Sequence, residues 1–244
     1  MSALEVHQLG CQLAGQWVLR DLSFRIQPGE CIALVGANGS GKTTLLRLLG
    51  GLVSLDEGHI TWGNARHKAM VFQQPHMMRC KVRHQAALQL WLRAGSPLQW
   101  AKWQICLRQA DEVLHRAGLL AASRQQAHEL SVGQRQRLAF ELAFASDPDV
   151  LLLDEPTANL DPQGKRDMEQ AMAEALHTAA GSKPKPKTMI FSSHNLGQVK
   201  RLASRVLYLE RGALLADLST DHFFNSDLSR SNPEAHFFLK GERT

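Results

Sequence analysis

The sequence lacks any long hydrophobic run. Its longest apolar stretches, such as VLLL at residues 150–153, are far shorter than the roughly 20 apolar residues that a membrane-spanning helix requires. The first residues, MSALEVHQLG, also lack the basic segment followed by an apolar segment that is typical of a signal peptide. We therefore expect no transmembrane helix and a chain that stays in the cytoplasm.

Cysteine is also scarce. The four cysteines, Cys11, Cys31, Cys80 and Cys106, lie far apart, and none of them forms a C-x-x-C pair. Zinc sites and disulfide frameworks both depend on cysteines at short or regular spacing. The sequence therefore indicates neither kind of site, and we expect the four thiols to be reduced.

Apart from the run SKPKPK at residues 182–187, which predicts an extended, solvated loop, a concentration of charge of one sign is missing as well. The net charge is +5, but the lysine and arginine residues are spread along the chain with acidic residues among them. Proteins that bind nucleic acid electrostatically usually carry a basic patch or stripe. We predict no nucleic-acid partner, and at most a mild attraction to a negatively charged membrane surface.

Short apolar runs alternate with helical segments along the 244 residues, a length that can bury a sizeable core. The runs are rich in β-branched residues, as buried parallel strands are. They are CIALVG from residue 31, AMVFQ from 69, VLLLD from 150, TMIFSS from 188 and VLYLE from 206. This order predicts an α/β fold with a mixed or parallel sheet flanked by helices.

Two segments depart from this alternation. Residues 3–30 carry the alternating segments LEVHQL and LSFRI, which predict an N-terminal antiparallel β subdomain. Residues 74–147 carry long helical patterns, which predict an inserted helical lobe. We assign residues 31–73 and 148–244 to a catalytic core, and residues 1–244 to a single domain.

The segment GANGSGKT at residues 36–43 fits the pattern G-x-x-x-x-G-K-[ST]. It lies between a predicted strand and a predicted helix, which indicates a P-loop NTPase core whose backbone N–H groups and helix N-terminus bind phosphate. Lys42 can reach the β- and γ-phosphates, and the Thr43 hydroxyl can bind Mg²⁺. The predicted ligands of ATP in this segment and directly after it are Gly36, Ala37, Asn38, Gly39, Ser40, Gly41, Lys42, Thr43 and Thr44.

Two carboxylates follow the apolar run at residues 150–153. Asp154 can hold Mg²⁺ through water, and Glu155 can accept a proton from an attacking water. Acidic residues after a strand are also common as helix N-caps. The phosphate-binding loop in the same chain favours the metal-binding and general-base roles over the N-cap.

Together with four further motifs, these segments resemble the ATP-binding subunit of ABC transporters over almost the whole chain. The further motifs are Gln73 in VFQQP, the signature LSVGQ at residues 130–134, ANLD at 158–161 and His194 in SSHN. The resemblance implies that Gln73 binds Mg²⁺ and links it and the attacking water to the helical lobe. It also implies that His194 contacts the γ-phosphate and senses its loss.

The same resemblance implies a head-to-tail dimer with ATP bound between two copies of the chain. In such a dimer the signature helix of one copy points its N-terminus at the ATP held by the other. Ser131, Gly133 and Gln134 would then contact this ATP, and Asp161 would help to shape the partner site. The other implied partners are a transmembrane permease and an extracytoplasmic substrate-binding protein, which places the chain at the inner face of the cell membrane.

Three sites depart from the family pattern. Leu13 stands where an aromatic residue usually stacks on adenine, which predicts weak selectivity for the base, although Trp17 is close enough in sequence to replace that residue. Glu141 and Leu142 stand where the family usually has a small residue and an arginine, which affects local packing. Val132 stands in the signature where the family has glycine.

Val132 is expected to be tolerated. A valine could not adopt a backbone conformation that only glycine allows, but the first position of a helix needs no positive φ. Ser131 remains as the predicted N-cap. We therefore predict a working half-site with weaker ATP-driven dimerisation.

The transported substrate is not determined by an ATP-binding subunit, so only resemblance bears on it. Residues 60–73, 192–215 and 222–242 resemble the ATPase of tungstate-type oxyanion importers. A phosphate or amino-acid importer ATPase is the alternative within the family.

Two other classes remain open. A soluble ABC-type ATPase acting on nucleic acid or ribosomes usually carries two ATP-binding halves or a long coiled-coil insertion, and this chain has neither. A P-loop kinase would leave Gln73, the signature and His194 without roles.

Overall fold

A computed structural model describes residues 2–63, 65, 67–93, 100–177 and 187–241. In chain order the elements are β1 (Leu4–Leu13), β2 (Gln16–Ile26), β3 (Cys31–Val35), α1 (Lys42–Leu49), β4 (Glu57–Trp62), β5 (Lys68–Val71), α2 (Val82–Arg93), α3 (Trp100–Arg116), α4 (Val132–Phe144), β6 (Val150–Leu153), α5 (Pro162–His177), β7 (Thr188–Ser192), α6 (Leu196–Leu202), β8 (Arg205–Glu210), β9 (Ala213–Ser219), α7 (Thr220–Asn225) and α8 (Pro233–Leu239). Of the helices in these ranges, none is both long enough and apolar enough to span a membrane.

Six strands form the central sheet in the order β5-β6-β7-β3-β8-β9. The first five are parallel, and β9 is antiparallel to β8. Every residue of β3, β6 and β7 is buried. Alternate residues of β3 pack on opposite sides, Ala33 and Val35 in one hydrophobic cluster and Ile32 and Leu34 in another. The five predicted strands and the α/β class with a mixed sheet are confirmed.

The N-terminal antiparallel sheet is also present, but it has a third strand. β1 pairs with β2 on one side and with β4 on the other, where Leu4 lies opposite Trp62. Ala14 and Gly15 form the β1–β2 turn, with φ of 51° and 77°. β4 lies within residues 31–73 but belongs to the three-stranded sheet and not to the six-stranded one. No local pattern reveals this, because its pairing partner lies far earlier in the chain.

The β8–β9 hairpin supports the loop of residues 36–43 from behind. The N–H of Gly212 donates to the carbonyl oxygen of Ser40 at 3.2 Å. Gly36 has a φ of 148°, and a Cβ at this position would collide with the carbonyl oxygen of Leu209. Glycine is required at position 36 because the loop passes directly against β8.

Helices α2, α3 and α4 share a third hydrophobic cluster, which extends from Met77 to Leu142. Trp91 of α2 and Trp103 of α3 meet edge to face, with their ring centroids 6.5 Å apart. The helices predicted for the lobe are therefore present, and residues 94–99 between α2 and α3 are outside the described residues.

Glu141, one of the departures from the family pattern, is buried between α4 and α3. Its side chain is 8% exposed, and Arg116 Nε donates to Glu141 Oε2 at 3.0 Å. Burial raises the pKa of Glu141, while Arg116 acts in the opposite direction. The unusual carboxylate therefore has a matching cation on the neighbouring helix.

Replacing Arg116 with alanine is expected to lower the free energy of unfolding by about 2 kcal/mol at neutral pH, because Glu141 is left buried without its cation. The Arg116 side chain is 44% exposed, which keeps the cost below that of a fully buried pair. Without Arg116 the pKa of Glu141 rises further, so this carboxyl becomes protonated as the pH falls and the cost diminishes. Chemical denaturation at neutral and at mildly acidic pH measures both effects.

The control for this prediction adds Glu141→Gln to Arg116→Ala. The double variant should recover most of the lost stability, since no charge remains buried. A double variant as unstable as Arg116→Ala alone would show that the ion pair is not the cause.

Candidate functional site

Lys42 fixes the loop between β3 and α1. Its Nζ donates to the carbonyl oxygens of Gly36 and Ala37, each at 2.9 Å, and the residue is 5% exposed. Burial lowers the pKa of Lys42, whereas the charges of Glu155 and Asp154 raise it. The ammonium group is thereby held beside the N-terminus of α1, where the helix dipole also favours an anion.

Thr43 and Asp154 meet at the carboxyl end of β6. Thr43 Oγ1 donates to Asp154 Oδ1 at 3.0 Å, and Ser192 Oγ donates to the same oxygen at 2.9 Å. Asp154 is 2% exposed, and its N–H donates to the carbonyl oxygen of Val71. A hydroxyl and a carboxylate are the hard oxygen ligands that Mg²⁺ prefers. These two residues therefore fit a magnesium site.

Glu155 contacts both of the other predicted catalytic residues. Gln73 Nε2 donates to Glu155 Oε2 at 3.0 Å, and His194 Nε2 lies 2.6 Å from Glu155 Oε1. The backbone of Glu155 has a φ of 45°, which is unusual for a residue other than glycine and is common at functional sites. The structure thus brings Gln73, Glu155 and His194 together beside Asp154.

Ser192 was not among the predicted site residues. Besides its bond to Asp154, its Oγ accepts a hydrogen bond from the Glu155 N–H at 2.8 Å, and the residue is fully buried at the last position of β7. Ser192 therefore joins the ends of β6 and β7. Its only sequence signal was a polar residue directly after the apolar run TMIF.

Ser131 and Gln134 form a reciprocal cap at the start of α4. The Gln134 N–H donates to Ser131 Oγ at 3.3 Å, and the Ser131 N–H donates to Gln134 Oε1 at 2.9 Å. Val132 is the first helical residue, its backbone φ is not positive, and it is 43% exposed. The predicted N-cap is present, and Val132 has an ordinary helical backbone that does not require glycine. A working half-site with valine at this position stays a prediction.

The N-terminus of α4 opens on a groove of about 400 Å³. Ser131, Gly133 and Gln134 line this groove together with Asp161, whose Oδ1 accepts a hydrogen bond from the Gly164 N–H at 2.6 Å. In the part of the chain that the structure describes, none of residues 36–44 lines it. The signature and Asp161 therefore line one groove, and the phosphate-binding loop does not line it.

Leu13, at the end of β1, is 44% exposed. The Trp17 ring packs against Gly10 so closely that a Cβ there would lie 2.8 Å from Trp17 Cζ3, and the Arg20 guanidinium lies 5.8 Å from the ring centroid. Trp17 is therefore held by the three-stranded sheet. The expectation that it could replace the missing aromatic residue stays a prediction.

A protein-family model described as "ABC transporter" matches residues 19–158. The matched segment contains the loop of residues 36–43, Gln73, the signature and Glu155. The chain belongs to the ABC transporter ATP-binding family. It is an ATP-binding protein whose hydrolysis of ATP is coupled to transport.

Relatives of this ABC ATPase include importer subunits with different named substrates. The arginine transport ATP-binding protein ArtM of Bacillus subtilis (strain 168) is 30% identical over 240 residues, which cover 93% of this chain and 95% of ArtM. The sulfate/thiosulfate import ATP-binding protein CysA of Xylella fastidiosa (strain Temecula1) is 34% identical over 246 residues, which cover 97% of this chain and 68% of CysA. The phosphate import ATP-binding protein PstB 2 of Natronomonas pharaonis is 31% identical and covers 93% of this chain and 83% of PstB 2. The similarity therefore identifies import ATPases without selecting one substrate.

Two solved structures have the same fold as this ABC ATPase. cbiO1 from Clostridium perfringens, described as part of the ABC transporter complex cbiONQ, has a TM-score of 0.74 and 24% identity, and covers 99% of each chain. MJ0796, described as a dimer in a post-hydrolysis state bound to ADP and Pi, has a TM-score of 0.75 and 21% identity, and covers 89% of this chain and 98% of its own. These matches confirm the predicted P-loop NTPase fold.

Proposed function

We propose that this ABC ATPase is the ATP-hydrolysing subunit of a membrane importer and that it works as a head-to-tail dimer. The observation that carries the proposal is the contact of Glu155 with Gln73 and His194, beside the loop of residues 36–43. We further propose that residues 1–244 form a single domain in which residues 74–147 are the helical lobe.

In the proposed mechanism the binding of the phosphates and the activation of water depend on different residues. The backbone N–H groups of residues 36–44 and the Lys42 ammonium hold the phosphates of ATP. Glu155 accepts the proton of the attacking water. Gln73 orients this water, and His194 contacts the γ-phosphate. Both roles require the positions that these two side chains have beside Glu155.

Thr43 and Asp154, together with Gln73, would hold Mg²⁺. The support is the buried contact between the Thr43 hydroxyl and the Asp154 carboxylate, which are both hard oxygen ligands. When bound, the ion supplies positive charge that offsets the charge of the phosphate oxygens.

A second copy of the chain would complete the site. The capped N-terminus of α4 carries partial positive charge and is suited to an anion, but its groove is not lined by the phosphate-binding loop of the same chain. In a head-to-tail dimer, Ser131, Gly133 and Gln134 would contact the ATP bound to the partner, with Asp161 beside it. In this arrangement the phosphate-binding loop of one copy and the signature of the other bind the same ATP.

For the substrate we propose an oxyanion, with tungstate as the first candidate. The relative named for sulfate or thiosulfate supports an oxyanion. The relatives named for phosphate, arginine and L-cystine favour phosphate or an amino acid as the alternative. A transmembrane permease and an extracytoplasmic substrate-binding protein would be partners, and the ATPase would lie on the cytoplasmic face of the membrane.

Co-purification from detergent-solubilised membranes tests this assignment. A tagged chain should retain a membrane permease, and ATP hydrolysis by the complex in vesicles should drive the uptake of tungstate. Uptake of phosphate or of an amino acid instead would favour the alternative substrates. Recovery of RNA or ribosomes without a permease would contradict the importer assignment.

Replacing Val132 with glycine is expected to strengthen ATP-driven dimerisation by about tenfold, because the exposed side chain no longer limits the approach of the helix N-terminus to the partner's ATP. Ser131→Ala should weaken dimerisation, since it removes the N-cap and a hydroxyl at the same surface. Analytical ultracentrifugation with ATP measures the dimerisation of Val132→Gly. The steady-state turnover of ATP is measured for both variants. Unchanged turnover in both variants would contradict the role of the signature.

Replacing Leu13 with tyrosine is expected to raise the affinity for ATP about fivefold, the gain of a weak stacking contact with the base. The unmodified chain should bind ATP and GTP with similar affinity because Leu13 provides little stacking. Competition binding with ATP and GTP measures these affinities in the variant and in the unmodified chain. Leu52→Tyr, which changes another exposed leucine, is the matched control. A clear preference of the unmodified chain for ATP would contradict the prediction.

A further inference from the structure

Gln198 of α6 is completely buried. Its Oε1 accepts hydrogen bonds from Ser193 Oγ at 2.7 Å and from Thr157 Oγ1 at 3.1 Å. Its Nε2 is buried without a hydrogen-bond partner among the described residues. A buried donor without a partner is unfavourable, so the oxygen, and not the nitrogen, accounts for a polar side chain at this position.

The two hydroxyl donors belong to the segments that carry the proposed catalytic residues. Thr157 follows Glu155 by two residues, in a turn closed by the bond from the Ala158 N–H to the Glu155 carbonyl oxygen at 3.0 Å. Ser193 directly precedes His194. A single side-chain oxygen of Gln198 therefore connects the turn after β6 to the turn after β7.

Side chains join these two turns beyond the ends of the strands. The paired residues of β6 and β7 end at Leu153 and Phe191, so side chains must set the spacing of the segments that follow. A pocket of about 280 Å³ opens between them and is lined by Glu155, Thr157, Ser193 and His194. Ser192 connects the two segments at the end of the strands, and Gln198 connects them again beyond it.

We propose that Gln198 is a positioning residue that fixes the distance between Glu155 and His194. The proposal rests on the catalytic roles proposed above for these two residues. Loss of the oxygen at position 198 frees the turn that carries Thr157 from the turn that carries Ser193. The 2.6 Å contact between Glu155 and His194 is then no longer supported from the side of α6, and hydrolysis slows while the phosphate-binding loop is untouched.

Steady-state hydrolysis of ATP by the purified full-length chain tests the proposal. Gln198→Met keeps the length of the side chain but has no comparable acceptor, and it should lower kcat about tenfold with KM almost unchanged, because a small displacement of a catalytic group lowers the rate of the chemical step. Gln198→Glu should keep kcat close to that of the unmodified chain, because burial favours the neutral form of the new carboxyl and its carbonyl oxygen accepts both hydroxyl hydrogen bonds. Gln170→Met, at an exposed glutamine of α5, is the matched control and should change neither constant.

Thr157→Val provides an independent variant, because it removes one of the two donors and leaves Gln198 in place. It should lower kcat in the same way, and it keeps the proposal testable if Gln198→Met does not fold. Unmodified kcat in Thr157→Val and Gln198→Met, or a Gln198→Glu variant as slow as Gln198→Met, would overturn the proposal. Glu155→Gln, measured in parallel, separates the two proposals: if it keeps full turnover, the proposed function itself fails.

Discussion

Replacing Glu155 with glutamine is expected to lower the rate of ATP hydrolysis by about 10²–10⁴-fold, the usual contribution of a general base. Glutamine has nearly the same shape and can still hydrogen-bond with Gln73 and His194, so the site should keep its geometry. ATP binding should therefore persist while proton transfer from the attacking water is lost. Because ATP is no longer consumed, the dimer that holds it should accumulate.

Two measurements check this result. Turnover of ATP should be nearly abolished, and size-exclusion chromatography with Mg²⁺ and ATP should show a stable dimer that the unmodified chain forms only transiently. Glu112→Gln, at an exposed position of α3, is the control and should leave both properties unchanged. A Glu155→Gln variant with normal turnover would contradict the assignment of the base, and a strictly monomeric variant would contradict the ATP-bound dimer.

Replacing Lys42 with methionine is expected to weaken ATP binding by at least about 100-fold, since hydrogen bonds to charged groups contribute about 1.5–3 kcal/mol each and Lys42 would bind more than one phosphate oxygen. The contribution of Lys42 to ATP binding also depends on pH. Burial lowers the pKa of Lys42 in the free chain, and a bound phosphate raises it. ATP affinity should therefore fall as the pH rises through the pKa of the free chain.

Isothermal titration calorimetry over neutral to alkaline pH measures both parts of this prediction. Lys42→Met should bind weakly and lose the alkaline decline. Lys68→Met is the matched control, because burial also lowers the pKa of Lys68 but its ammonium lies over the Trp62 ring, 4.5 Å from the centroid. Tight binding by Lys42→Met would show that the loop holds phosphate through its backbone alone.

Most of the central sheet could be predicted from the sequence because strands such as β3, β6 and β7 are buried on both faces. Each of them therefore appears as a short apolar run that needs no knowledge of its neighbours. β4 could not be placed in the same way. Its residues are exposed or half-buried, and its position depends on pairing with β1.

The residues of the candidate site also divide into those that a local sequence pattern predicts and those that depend on distant parts of the chain. Lys42, Asp154 and Glu155 were predictable because their motifs follow strands and are local in sequence. Ser192 and Gln198 were not, because their roles arise only when the ends of β6 and β7 lie side by side. Arg116 was missed for a related reason: its partner Glu141 lies on another helix, and charges without a fixed spacing give no sequence signal.

The support of the phosphate-binding loop by the β8–β9 hairpin has a consequence for synthesis of the chain on the ribosome. Residues 36–43 emerge early, but both neighbours of β3 in the sheet, β7 and β8, emerge near the end, as does Gly212, which bonds to Ser40. Translation adds about 5–20 residues per second. The loop therefore lacks the support of β8 and β9 until most of the chain has been made. A nascent chain halted before β8 carries the whole phosphate motif yet cannot form a finished nucleotide site.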